Sequence, residues 1–172
     1  VDPEPANNSA LDMTTVQGEL LVNGGFEDAG SVKQRAASWK TTAPSVDNDK
    51  RVCKPENAFE GTCSYRFRFQ GTIVNETKAR SIKQVIDMPV VAAGDMLTLT
   101  LQVRAKNLTG NARVRVVVRT DAGKEKIITQ PLTLGTYPYT TVTASAILTS
   151  VPNRIIVNIQ PRSSTGTFFV DA

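Results

Sequence analysis

The residues of this chain that could do chemistry are its carboxylates and its two cysteines, because histidine is absent. Without an imidazole there is no Ser-His or Cys-His nucleophile, no HExxH zinc site and no ordinary histidine acid–base step. The sequence also lacks GxxxxGK(S/T) and GxGxxG, so no phosphate cradle is written in it. Two carboxylates alone can serve a glycosidase, but no spacing singles out a pair. One stretch is more specific. LVNGGFED, residues 21–28, is an apolar run broken by Gly24 and Gly25, then Phe26, then the acids Glu27 and Asp28.

Cys53 and Cys63 close a short segment, CKPENAFEGTC. A zinc site would need more ligands than two thiolates. A Cys53–Cys63 disulfide is the favoured reading over two free thiols, and it fits an oxidising, extracellular setting. The formal charge of +4 hides an asymmetry. Residues 1–60 carry ten acids and six bases, giving −4, and residues 61–172 carry six acids and fourteen bases, giving +8. A basic body behind an acidic front suits an anionic polymer, or head-to-tail contact with a second copy. No apolar run approaches the roughly 18 residues of a membrane span, and the opening VDPEPANNSA reads as the start of a mature secreted chain.

The elements that must position these residues are strands. In 95–106, Leu97, Leu99, Leu101, Val103 and Ala105 alternate with Thr98, Thr100, Gln102 and Arg104. Val114, Val116 and Val118 alternate with Arg113, Arg115 and Arg119, and Tyr65, Phe67 and Phe69 with Arg66, Arg68 and Gln70. Residues 153–161 set Ile155, Val157 and Ile159 against Arg154, Asn158 and Gln160. A period of two with one dry and one wet face predicts antiparallel sheets. Further strands fit 80–88, 124–132, 139–148 and 166–171, separated by turn signals such as NLTGN, TDAGK and LGTYP. About nine or ten strands at this spacing predict an all-β fold, a two-sheet antiparallel jelly-roll β-sandwich. It would span 18–172, after an extended or exchanged tail over 1–17.

LVNGGFE, then Trp39, then AFEGTCSYRF, IKQVIDMPVVAAGDMLTLTLQVRAK and GTFFVDA occur in that order. Together they resemble the carbohydrate-binding modules of families 4 and 9 and their relatives, which are galactose-binding-like β-sandwiches. The likeness runs from about residue 19 to 171 and leaves out the tail. It implies a structural calcium held by Glu27, Glu60 and Asp171, with the carbonyl of Cys63 as a further ligand. Three converging carboxylates need a cation to offset their repulsion, and calcium takes several oxygens at about 2.3–2.6 Å. On this reading Gly24 and Gly25 allow a tight turn, Phe26 packs inward and Glu27 stays outside, while Trp39 belongs to the core.

Sugar binding needs exposed rings, and aromatics are only 6% of the chain, most of them on inward positions. Phe168 and Phe169 must split between the faces, which leaves Tyr137 and Tyr139 as platforms. The wet faces carry Arg66, Arg68, Arg104, Arg113 and Arg115, which departs from a cellulose- or xylan-binding pattern and would allow an anionic glycan through guanidinium–carboxylate or –sulfate pairs. The basic residues lack interleaved aromatics, which argues against nucleic acid. A rival use is structural. LDMTTVQGELLV has strand character, and its Leu11, Met13 and Val16 could add to a sheet edge of another copy. The last strand stops at Asp171-Ala172, so more protein or a partner is expected to complete it. The expected protein is therefore a non-catalytic β-sandwich, secreted or at the cell surface. It would be first a self-associating filament or assembly subunit, and second a calcium-stabilised carbohydrate-binding module of a larger protein.

Overall fold

Alternation carried over a dozen residues makes long strands, and in the computed structural model the longest fall where that pattern is cleanest. The structure describes residues 19–33, 35–41, 49–69, 80–162 and 165–172; Leu11, Met13, Val16 and the side chain of Phe69 lie outside the described residues. The strands are β1 (Lys40–Thr41), β2 (Lys50–Cys53), β3 (Cys63–Phe69), β4 (Ile82–Asp87) and β5 (Met96–Leu108). They continue as β6 (Asn111–Thr120), β7 (Gly123–Pro131), β8 (Gly135–Ile147), β9 (Arg154–Arg162) and β10 (Gly166–Asp171). One short 3-10 turn, Pro55–Asn57, sits in the segment between the cysteines.

The first sheet runs β1-β4-β9-β6-β7 and the second β2-β3-β10-β5-β8, every pair antiparallel. This is the expected two-sheet antiparallel sandwich. The inner faces are the predicted ones. Leu101, Val103, Val114, Val116, Ile155, Ile159 and Phe168 are buried together, as period two places them. One strand departs from strict alternation: Val117 is buried as well as Val116 and Val118, at a register shift in the β6–β7 pairing.

An aromatic column fills one end of the core. Phe26 lies 5.2 Å from Trp39 and 5.8 Å from Tyr65, ring centre to ring centre, and Tyr65 continues to Phe67 at 5.1 Å and Phe67 to Phe168 at 6.0 Å. Offset and tilted ring pairs of this kind add to the burial of their area. Both Phe26 and Trp39 are in the core as the sequence suggested.

The second sheet is uneven in length. β10 pairs with β5 only as far as Asp171 opposite Gln102, whereas β5 and β8 stay paired to Met96 opposite Ile147. Six residues of β5, Met96 to Leu101, therefore extend past the end of β10.

Phe26 is fully buried and joins the entry segment to two other aromatics of the core, Trp39 and Tyr65. Phe26→Ala should lower unfolding free energy by about 3–5 kcal/mol, the range for a deleted core ring. Urea denaturation followed by tryptophan fluorescence measures it, and a loss under about 1 kcal/mol would contradict this role.

Candidate functional site

The stretch that opens the fold makes a knot of local bonds. The Asn23 amide donates to the carbonyls of Asp28 (3.0 Å) and Ala37 (3.1 Å), and its Oδ1 accepts from the Asp28 N–H (2.9 Å). The Trp39 indole N–H donates to the Asn23 carbonyl at 3.0 Å. Gly24 and Gly25 are the two central residues of the tight turn, as expected, and Phe26 N–H closes it onto the Asn23 carbonyl at 3.1 Å. The left-handed residues are those that flank them, Asn23 (φ 55°) and Phe26 (φ 57°). Gly24 also serves close approach: a Cβ there would stand 2.5 Å from the Ala172 carbonyl oxygen.

Glu27 and Asp171 grip one loop from two sides. Glu27 Oε1 accepts from the N–H groups of Thr62 and Cys63, both at 2.8 Å, and Oε2 accepts from the Thr62 hydroxyl at 2.7 Å. Gly61 has φ 66°, and a Cβ on it would meet Glu27 Oε1 at 2.4 Å. Asp171, almost fully buried, accepts from the N–H groups of Phe59 (2.9 Å) and Glu60 (3.4 Å). Arg51 donates to the carbonyls of Phe26 and Glu27 and ties down the backbone beneath.

Burial pushes the Asp171 carboxyl up, as does the charge of Glu27. Amide bonds from Phe59, Glu60 and Ala172 oppose this without cancelling it. For Glu27 burial also pushes upward. The bonds from Cys63 and Thr62, with the Arg51 charge, outweigh it and leave the group below the usual carboxylate range.

The calcium ligands that the resemblance implies are only partly drawn together. Cys63 turns its N–H to Glu27. Glu60 meets Asp171 through its backbone N–H, and its own side chain is exposed. Among the described residues no three acidic, thiol or imidazole side chains gather closely enough to hold an ion. As placed, loop amides already take acceptor positions on both carboxylates, and the Glu60 side chain stays apart from them. Nothing in the sequence patterns marks backbone N–H groups as the neutralising partners.

The gripped loop presents an aromatic and polar surface on the outer face of the second sheet. Cys53 and Cys63 form the expected disulfide at its base. Arg104 lies under the loop, its guanidinium 4.3 Å from the Phe169 ring centre and 5.3 Å from that of Tyr139. It donates to the Glu56 carbonyl at 2.8 Å and to Asn57 Oδ1 at 2.5 Å. The Tyr139 hydroxyl donates to the Asn57 carbonyl, which also accepts from the Ser64 hydroxyl at 2.7 Å. Phe59 then stands at the loop tip, 53% exposed, in edge contact with Tyr139 at 5.6 Å. Beside it a polar strip runs along β5 and β8. Thr141 donates to Gln102 at 3.1 Å, and the hydroxyls of Thr98 and Ser145 are 2.9 Å apart.

The predicted contact residues are divided by the fold. Arg66, Arg68 and Arg104 lie on β3 and β5 of the second sheet, whereas Arg113 and Arg115 lie on β6 of the first. Their neighbours Val114 and Val116 are inward, so Arg113 and Arg115 face away on the far side of the sandwich. Tyr137 packs against the core and donates its hydroxyl to the Thr133 carbonyl at 2.9 Å, so it is not a platform. Tyr139 is half-buried on the outer face, and Phe59 was missed. The available signal was PENAFEG itself: a ring inside a cysteine-bounded loop has no strand to turn it inward.

No family model and no curated protein matches the sequence. Solved structures do match. A family 61 carbohydrate-binding module, TmCBM61, in complex with β-1,4-galactotriose, aligns with TM-score 0.56 and 17% identity, over 88% of this chain and 93% of that one. A family 4 module aligns with TM-score 0.55 and 14% identity, over 87% and 94%. The fold is that of carbohydrate-binding modules. The enzymatically active domain of tailspike protein 4 from bacteriophage CBA120 also matches, with TM-score 0.60 and 13% identity, but this chain spans only 20% of it.

The latch gives a pH signature. Asp171 has a folded pKa above its ordinary value, so its stability contribution is full at low pH and is lost as pH rises through that pKa. Glu27 has the opposite sign and weakens the fold only as pH falls through its lowered pKa. Asp171→Asn keeps an acceptor for the loop amides but does not titrate. Its Tm relative to the unmodified protein should rise as pH climbs above the ordinary carboxylate value. A pH-independent gap in paired thermal melts would contradict the raised pKa.

Proposed function

We propose that this chain is a non-catalytic carbohydrate-binding module and that it binds a neutral β-linked glycan chain across Phe59, Tyr139 and the Gln102–Thr141 strip. The observation that carries the reading is the exposed Phe59 ring, fixed on Tyr139 above a polar strip. The C–H groups of a pyranose carry slight positive charge and meet the electron-rich face of such a ring, while amide and hydroxyl groups beside it take the sugar hydroxyls. Structural neighbours with this fold include a module solved with β-1,4-galactotriose and a xylan-binding domain.

A neutral ligand suits the surface better than the anionic one the arginine count suggested. Arg104 already spends its donors on Glu56 and Asn57, and Arg113 and Arg115 are on the other side. Glu27 and Asp171 behind the loop are both engaged by loop amides, which supports a structural use for them. The disulfide supports an oxidising, extracellular setting. The reading placed first from the sequence, a self-associating assembly subunit, drew in part on Leu11, Met13 and Val16, which lie outside the described residues.

Affinity electrophoresis in gels containing soluble galactan, xylan, mixed-linkage glucan or polygalacturonate tests the proposal. At least one neutral polymer should retard the protein, and Phe59→Ala should weaken binding about tenfold or more while leaving the melting curve intact. Retardation by polygalacturonate alone, or equal binding by Phe59→Ala, would overturn it.

A further inference from the structure

The outer face of the first sheet carries the side chains that the core does not use. Residues directly opposite on antiparallel strands point the same way. Val114, Val116 and Val118 point inward, so Arg115 and Arg119 point outward. Two rows of opposite residues cross this face. One runs Lys40, Lys83, Asn158, Arg115, from β1 through β4 and β9 to β6. The other runs Asp87, Arg154, Arg119, Lys124, from β4 through β9 and β6 to β7. Together they hold six bases, and Asp87, paired with Arg154, is the one acid in either row.

Like charges set directly opposite one another destabilise a sheet. Lys40 opposite Lys83, Arg154 opposite Arg119, and Arg119 opposite Lys124 are three such pairs. A bound anion would offset their repulsion. The second row also borders a cavity of about 730 Å³, lined in part by Asp87, Arg119, Lys124 and Arg154 beside the exposed Met88.

We propose that this face is a second binding surface, which takes an acidic polysaccharide by its carboxylate or sulfate groups, with Arg119, Lys124 and Arg154 as the anchor. Both groups suit the fork of a guanidinium. Three observations choose the partner. Asn158 and Arg154 lie four residues apart on β9, so the rows are about 13 Å apart; a chain with repeated charges engages both, where a small anion engages one. The five strands of this sheet contain no aromatic residue, so neither a neutral sugar nor a nucleic-acid base has a ring there to stack on. The Cys53–Cys63 disulfide supports an extracellular setting, away from the cell's nucleic acid. This surface is separate from the Phe59 site, whose strands belong to the second sheet.

Isothermal titration of the full chain with polygalacturonate, which carries carboxylates, and with dextran sulfate tests this at about 0.15 M salt. At least one polymer should bind, and which one does names the acidic group. Arg119 and Lys124 are exposed, so Arg119→Glu/Lys124→Glu should keep the melting curve and weaken binding at least tenfold. Lys54→Glu/Lys106→Glu makes the same change in net charge at exposed positions on or beside the second sheet, and should bind as the unmodified chain does. Phe59→Ala should do the same. Binding of neither polymer would overturn the proposal. So would an equal loss in both double variants, the mark of unspecific attraction, or a matching loss in Phe59→Ala. Single-stranded DNA bound more tightly than either polymer, and lost with Arg119→Glu/Lys124→Glu, would give the face to nucleic acid instead. Failure here leaves the neutral-glycan reading standing, because that is read by Phe59→Ala in neutral polymers.

Discussion

Two carboxylates holding one loop by its backbone amides are the interaction on which the outer face of the second sheet depends. Glu27 comes from the first turn of the fold and Asp171 from the last strand, yet they act on residues 59–63 together. A buried carboxylate is costly unless its charge is met. Here it is met by N–H groups that have no ladder partner of their own. Each side thus satisfies the other's unpaired polar groups, and the beginning and end of the chain are fastened through a loop from its middle. Glycines at 24 and 61 are part of the same arrangement, since a Cβ at either would collide with the atoms being brought together.

Arg104 extends that fastening into the aromatic surface. By the inventory of charge it is one more base on a wet face. By its contacts it is a strut, sandwiched near Tyr139 and Phe169 and bonded to the loop backbone above it. Arginine's flat, weakly hydrated head suits that use, where lysine could not bridge two rings and two acceptors together. The charge balance of the chain therefore describes its surface poorly: several of the bases are structural, and the rest are divided between opposite faces.

How much was legible in the sequence follows from which forces are local. Strand identity and the inward side chains of β5, β6 and β9 could be read because alternation is a property of neighbouring residues. The places of Phe26 and Trp39, the disulfide and the sandwich class could also be read. The partners of Glu27 and Asp171 could not, because backbone amides are common to all residues and only the fold selects them. The tight turn at Gly24-Gly25 could be read too, but not that the left-handed geometry falls on the flanking Asn23 and Phe26 or that Gly24 makes room for Ala172. Tyr137 and Tyr139 are two residues apart, and alternation would put them on one side. The register shift in β5–β8 pairing between Val103 and Ala105 parts them, one to the core and one to the surface.

That same shift has a bearing on solubility. Among the described residues β8 is an outermost strand, thirteen residues long, and an open edge of that length invites another chain to pair with it and start an aggregate. The irregular stretch contains Pro138, which has no N–H to offer, so the edge is broken into two shorter runs. The break lies beside Tyr139, next to the surface assigned to the glycan. A kink that keeps foreign strands away thus leaves that flank of the molecule open to a sugar chain.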